Sequence, residues 1–218
     1  MDFVNLKINK RERGEKYKDY VCLTALNDLP TNACILPELI ICGEDFVKSN
    51  QATSDNLPEL IINCVAEELN FNKKLDLIVE DNKMMQVKKL LNEEVIPIGD
   101  IRYMSMAIGD LDLKEWKEQG FSMEVYRAFK TEQNNILVDG LSRVLPIIHF
   151  NILKEKQVWI VSKRCRDRAP AVVIAYLIKY HKMTIDEAIN HVKERLPTIF
   201  SSSNLFSNAI KEFQNSID

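Results

Sequence analysis

Long apolar runs are missing from this 218-residue sequence, and none approaches the ~20 residues that a membrane-spanning helix needs. The opening MDFVNLKINKRERGEK also lacks the apolar centre of a secretory leader. These two features make residence in the cytoplasm or nucleus the expectation. Cysteine is sparse and unpaired: Cys22, Cys34, Cys42, Cys64 and Cys165 are odd in number, with no CxxC spacing and no disulfide framework. That pattern fits reduced thiols and gives no zinc site. Histidine is rarer still, and His181 and His191 have no third partner at a ligand's spacing. No metal and no cofactor is expected. A net charge of −3 gives no general reason for nucleic-acid or membrane binding, so neither is expected as a partner.

Against these absences stand a hydrophobic fraction of 46% and a charged fraction of 28%, ordinary for one globular α/β domain. Residues 1–30 are charge-rich and read as an arm or edge extension, and 31–218 as the domain. Within it, ACILPELIICG (33–43) reads as β-sheet. LPELIINCVA (57–66) reads as a central strand, 76–79 as an extra strand, and 81–92 as a helix. Residues 103–107 alternate as a strand, and a further helix begins at Ser122. Leu137, Leu141, Val144, Leu145 and Ile148 follow helical spacing, with Pro146 implying a kink or a break between two shorter helices. Thr184 and Glu187 have capping-box spacing, and Pro197 ends that helix.

The most informative stretch is QVWIVSKRCRDRAPAVVIAYLIKY, Gln157 to Tyr180. Val158 to Val161 form a continuous apolar run that suits a strand buried on both faces. A long apolar helix follows, with Pro170 expected at its first position. Between them Lys163, Arg164, Arg166 and Arg168 crowd a helix N-terminus, where the dipole attracts anions and disfavours cations. Either an anion binds there, or Asp167 and neighbouring acidic groups neutralise a solvated cluster.

The strand, basic loop and AYL-containing helix resemble the phosphate-binding loop of the dual-specificity and tyrosine phosphatases, HCxxGxxR. Aligned on Ala175, Tyr176 and Leu177, the family's Arg falls on Arg168, its nucleophilic Cys on Ser162, its His on Val161 and its Gly on Cys165. Making Cys165 the nucleophile instead would require an Arg six residues later, where Ala171 stands. The resemblance further implies a central mixed sheet flanked by helices, with an opening hairpin over 33–43 and the first helix over 44–50. It places the general-acid position at Asp110, seven residues after Tyr103, with Asp112 as second choice. The phosphate-binding set becomes Ser162, Lys163, Arg164, Cys165, Arg166, Asp167 and Arg168. Two stretches, near 67–102 and 113–136, exceed the family's length, and the second reads as an added surface element. Ser162 supplies no thiolate near neutral pH, and the loop contains no base to activate its hydroxyl. The implied function is a pseudophosphatase that binds a phosphorylated protein or another oxyanion ligand, or serves as a scaffold in phosphorylation signalling. Residual phosphatase activity and a purely structural interaction module stay open as alternatives.

Overall fold

All five residues of Val158–Ser162 are buried, which follows from a run of β-branched and aromatic side chains with no polar alternation. In chain order the elements are β1 (Asn32–Leu36), β2 (Leu39–Gly43), α1 (Glu44–Lys48), β3 (Leu60–Asn63), β4 (Ile96–Ile98) and β5 (Ile101–Ser105). Then come α2 (Met123–Leu153), β6 (Val158–Ser162), α3 (Arg168–His181), α4 (Ile185–Lys193) and α5 (Ser207–Ile217). The computed structural model describes residues 32–48, 58–65, 96–98, 101–106, 108–109, 122–200 and 206–217. The expected arm at 1–30, strand at 76–79, helix at 81–92 and general-acid residue Asp110 lie outside them.

Among the described residues the sheet runs β1-β2-β6-β3-β5-β4. The four inner strands are parallel, with Ile41↔Ile160, Ile62↔Ile160 and Ile62↔Met104 in register. The edge strands β1 and β4 run antiparallel to their neighbours β2 and β5, and residues 37–38 turn the chain between β1 and β2. This is the mixed sheet expected; the edge strand β4 was not.

Alternate residues of the buried strands feed two cores. Leu39, Ile41, Leu60, Ile62, Val158 and Ile160 pack under α2, α3, α4 and α5. On the other face Ile40, Ile61, Trp159 and Val161 meet Phe46 and Val47 of α1, with the Phe46 and Trp159 rings edge to face at 5.2 Å. At the far end of α3 from the basic loop, His149 stacks on Tyr180 at 3.8 Å, and its Nδ1 lies 3.2 Å from the Tyr176 hydroxyl.

The expected break at Pro146 does not occur. α2 is one helix of 31 residues with Pro146 inside it, and residues 123–136 of the stretch 113–136 belong to it. Leu137, Leu141, Val144, Leu145 and Ile148 are fully buried on one stripe while Pro146 is exposed. Burying five such side chains, at about 1.5–3 kcal/mol each, outweighs the ~3 kcal/mol cost of an interior proline. By length and composition α2 could cross a bilayer, but its apolar stripe is covered by the sheet and the other helices. Its C-terminal end is fastened to β5 by Arg102, which donates to the Asn151 side-chain oxygen. Gly140 is where the helix backbone approaches the sheet side: a Cβ there would stand 2.6 Å from the Met106 methyl.

Pro146→Ala restores a hydrogen bond to the Ser142 carbonyl and removes the ring's clash with it. It should stabilise the protein by about 1–3 kcal/mol, read as a higher urea midpoint at unchanged m value. A lowered midpoint would mean that the helix needs the proline's bend to keep its stripe on the core.

Candidate functional site

The parallel strands β2, β6, β3 and β5 end side by side at Gly43, Ser162, Asn63 and Ser105. A crevice beyond the carboxyl ends of parallel strands is where open α/β sheets bind ligands. At its centre β6 ends on Ser162, residues 163–167 turn, and α3 begins at Arg168. The helix therefore starts two residues earlier than Pro170, which occupies its third position. That is permitted because none of the first four N–H groups has a partner within the helix. Ala171 donates the first helical bond to the Asp167 carbonyl at 3.0 Å.

Ser162 lies at the floor of this turn, 2% exposed, and its Oγ has no hydrogen-bond partner. A buried hydroxyl left unpaired costs free energy comparable to a lost hydrogen bond, so the arrangement suits a ligand that supplies the partner. Lys163 and Arg164 are exposed, Arg166 and Arg168 half-buried. The Arg166 carbonyl accepts from the Phe200 N–H at 2.9 Å, which ties the loop to the segment after α4.

Cys165 occupies the position where the resemblance puts glycine, and it holds the left-handed conformation that glycine adopts without strain, with φ 53°. That conformation costs about 1–2 kcal/mol for a residue with a Cβ, and the side chain offsets part of this by being fully buried. Burial pushes its thiol far up, with Cys64 adding to the effect. Burial likewise raises Cys64 to about 12, opposed by the Arg168 guanidinium. Cys42 is raised well above 9.0 by burial and by these two neighbours. Three thiols thus surround the strand ends, and each is held neutral. Cys34, at the far end of β2's hairpin, is raised to about 11 by burial, partly countered by Arg195.

Asn63 bridges two strands, its Nδ2 donating to the Tyr103 hydroxyl at 2.6 Å while its Oδ1 accepts from the Val65 N–H at 3.0 Å. Arg168 reaches sideways instead, its Nη1 donating to the Ile108 carbonyl at 3.0 Å. The next residue's amide, Gly109 N–H, donates to the Gln133 side chain of α2 at 2.7 Å. The chain leading to the expected general-acid position is therefore brought beside Arg168, although Asp110 itself lies outside the described residues. Gln133 was not foreseen as part of the site. Its spacing, four residues before Leu137, puts it on the apolar stripe, but nothing local in the sequence marks it as part of a site.

A basic loop thus follows the doubly buried strand β6, and Arg168 stands in the first turn of the next helix. The family model for the dual specificity phosphatase catalytic domain matches residues 46–216, and the chain belongs to that family. In fold it is similar to human DUSP28, with TM-score 0.57 at 12% identity, covering 87% of this chain and 96% of that one. A mouse putative dual specificity phosphatase complexed with zinc tungstate gives TM-score 0.55 at 13% identity, covering 88% and 92%. A human tyrosine phosphatase-like serine/threonine/tyrosine-interacting protein gives 0.51 at 14%, covering 85% and 96%. No curated protein sequence matches the chain.

The buried thiols make a prediction about pH. Cys64 titrates near 9.0 when unfolded and about 12 when folded, so its contribution to stability is complete below pH 9 and is lost as pH rises towards 12. Wild type should lose up to about 1.4 kcal/mol per pH unit more than Cys64→Ala across that window, read by urea denaturation. Parallel profiles for the two proteins would mean that the thiol is open to water.

Proposed function

We propose that this chain is a pseudophosphatase, which binds an oxyanion in the loop 162–168 and does not hydrolyse phosphate esters. The observation that carries this reading is the unpartnered Ser162 Oγ, buried at the floor of a loop that Arg168 closes. A hydroxyl is a good donor to a phosphate oxygen but a poor nucleophile without a base. The nearby thiols do not substitute for the missing one. Cys165, Cys64 and Cys42 are buried and neutral, whereas a nucleophilic cysteine requires a lowered pKa.

Binding draws on three contributions. The N-terminus of α3 favours negative charge, Arg168 offers a planar fork that holds two oxygens of one phosphate, and Ser162 adds a neutral donor. Exposed Lys163 and Arg164 face solvent around the cradle, which suits a phosphorylated protein whose own acidic residues flank the phosphate. A nucleic acid is not the expected ligand, since the chain's net charge of −3 gives no general attraction to a polyanion. Such a domain would act in phosphorylation signalling by shielding a phosphorylated partner or holding it in place.

Titration with inorganic phosphate, tungstate or a phosphotyrosine peptide tests the binding directly. Arg168→Ala should weaken it by about 1.5–3 kcal/mol, the worth of a charge-assisted hydrogen bond. Equal binding by wild type and variant would exclude the loop as the receptor, and no binding by either would favour a structural interaction module. Phosphate release from an aryl phosphate should stay at the no-enzyme rate. Turnover that Ser162→Ala abolishes would overturn the proposal and establish an enzyme.

A further inference from the structure

Two hydrogen bonds described above meet on one peptide group. The Ile108 carbonyl that accepts from Arg168 Nη1 at 3.0 Å and the Gly109 N–H that donates to Gln133 Oε1 at 2.7 Å flank the same C–N bond. A trans peptide is planar and its C=O and N–H point in opposite directions. Fixing the direction of the N–H therefore fixes that of the carbonyl. We infer that Gln133 is a positioning residue for the oxyanion site: by holding the Gly109 N–H, it aims the Ile108 carbonyl at Arg168 and so orients the guanidinium.

Three observations support this assignment. Gln133 is only 5% exposed, and its acceptor serves a backbone amide rather than solvent. It stands on the stripe whose other members, Leu137, Leu141, Val144 and Ile148, are fully buried and apolar, so a polar group here carries a desolvation cost that its hydrogen bond has to offset. The peptide also lies close against α2, since a Cβ on Gly109 would stand 2.8 Å from the Phe129 ring and 3.2 Å from Gln133 Oε1. Phe129 and Gln133, four residues apart on α2, press the 108–109 peptide from one side while Arg168 grips it from the other. Hydrogen bonds in such a chain polarise one another through the peptide, so losing the outer one weakens the inner one. An arginine has five N–H donors in a fixed fork. Tethering one of them sets the plane in which the others meet an oxyanion.

The inference rests on the oxyanion reading for its consequence, but its geometry can be tested without any ligand. Gln133→Leu removes the acceptor at similar size, and Gln133→Met is a second variant should leucine prevent folding. In the free protein, the amide of Gly109 should exchange at least 10-fold faster in the variant, and the Arg168 guanidinium proton signals should shift in its NMR spectrum. Signals of Arg102, tied to Asn151 at the other end of α2, should not move. With phosphate as probe, the variant should bind roughly 5- to 10-fold more weakly, the worth of one hydrogen bond. In the Arg168→Ala background the same substitution should have no effect on binding. Unchanged Arg168 signals in a folded variant would overturn the inference, as would an equal loss of phosphate binding with and without Arg168. Shifted Arg168 signals in a protein whose wild type binds no phosphate would uphold the positioning role while refuting the oxyanion reading.

Discussion

Burial of β6 on both faces is the constraint from which the site follows. A strand with Val158, Trp159, Ile160 and Val161 all within 1% of full burial has to lie in the middle of a sheet between two layers, and it does, parallel to β2 on one side and β3 on the other. Because it continues directly into α3, the turn between them opens at the sheet's carboxyl edge, with the helix N-terminus over it. The anion-attracting end of α3, the Ser162 hydroxyl and Arg168 converge because the core leaves the chain no other path. Deleting bulk from Trp159 or Ile160 would damage the loop through this linkage, with no contact to a ligand.

The loop's departures from the family pattern have different physical weights. Cys165 in place of glycine holds a left-handed conformation that a residue with a Cβ adopts only under strain. Ser162 in place of the nucleophile changes the chemistry at the floor without changing the fold, since both side chains are small and buried. Val161 in place of histidine turns a polar support into part of the apolar core beneath α1. Under the proposed function, the domain would keep the parts that hold an oxyanion and exchange those that would attack phosphorus.

Much of this was legible in the residues because the decisive signals are local. The continuous apolar run of β6, the Pro37-Glu38 turn between β1 and β2, and the Thr184–Glu187 capping box, which forms with both reciprocal hydrogen bonds, each declare themselves within a few positions. What was not legible depends on distant burial. Pro146 reads as a helix breaker, yet the stripe from Leu137 to Ile148 packs too well to give up the helix on either side of it. The strand β4 has three residues, one of them proline, and exists only as the edge partner of β5. Gln133 reads as surface in a polar, charged stretch; its place beside Leu137 matters only once Gly109 arrives from 24 residues away.

The most direct test restores what the loop has exchanged, comparing wild type with Val161→His, Ser162→Cys, Cys165→Gly in one protein, by release of phosphate from an aryl phosphate. If the cradle is intact and only its attacking chemistry is gone, the triple variant releases phosphate measurably and Ser162→Cys alone releases little, because catalytic groups that act together are strongly non-additive. A folded triple variant that neither hydrolyses nor binds phosphate would contradict the account, since it would mean that the loop no longer forms an oxyanion site.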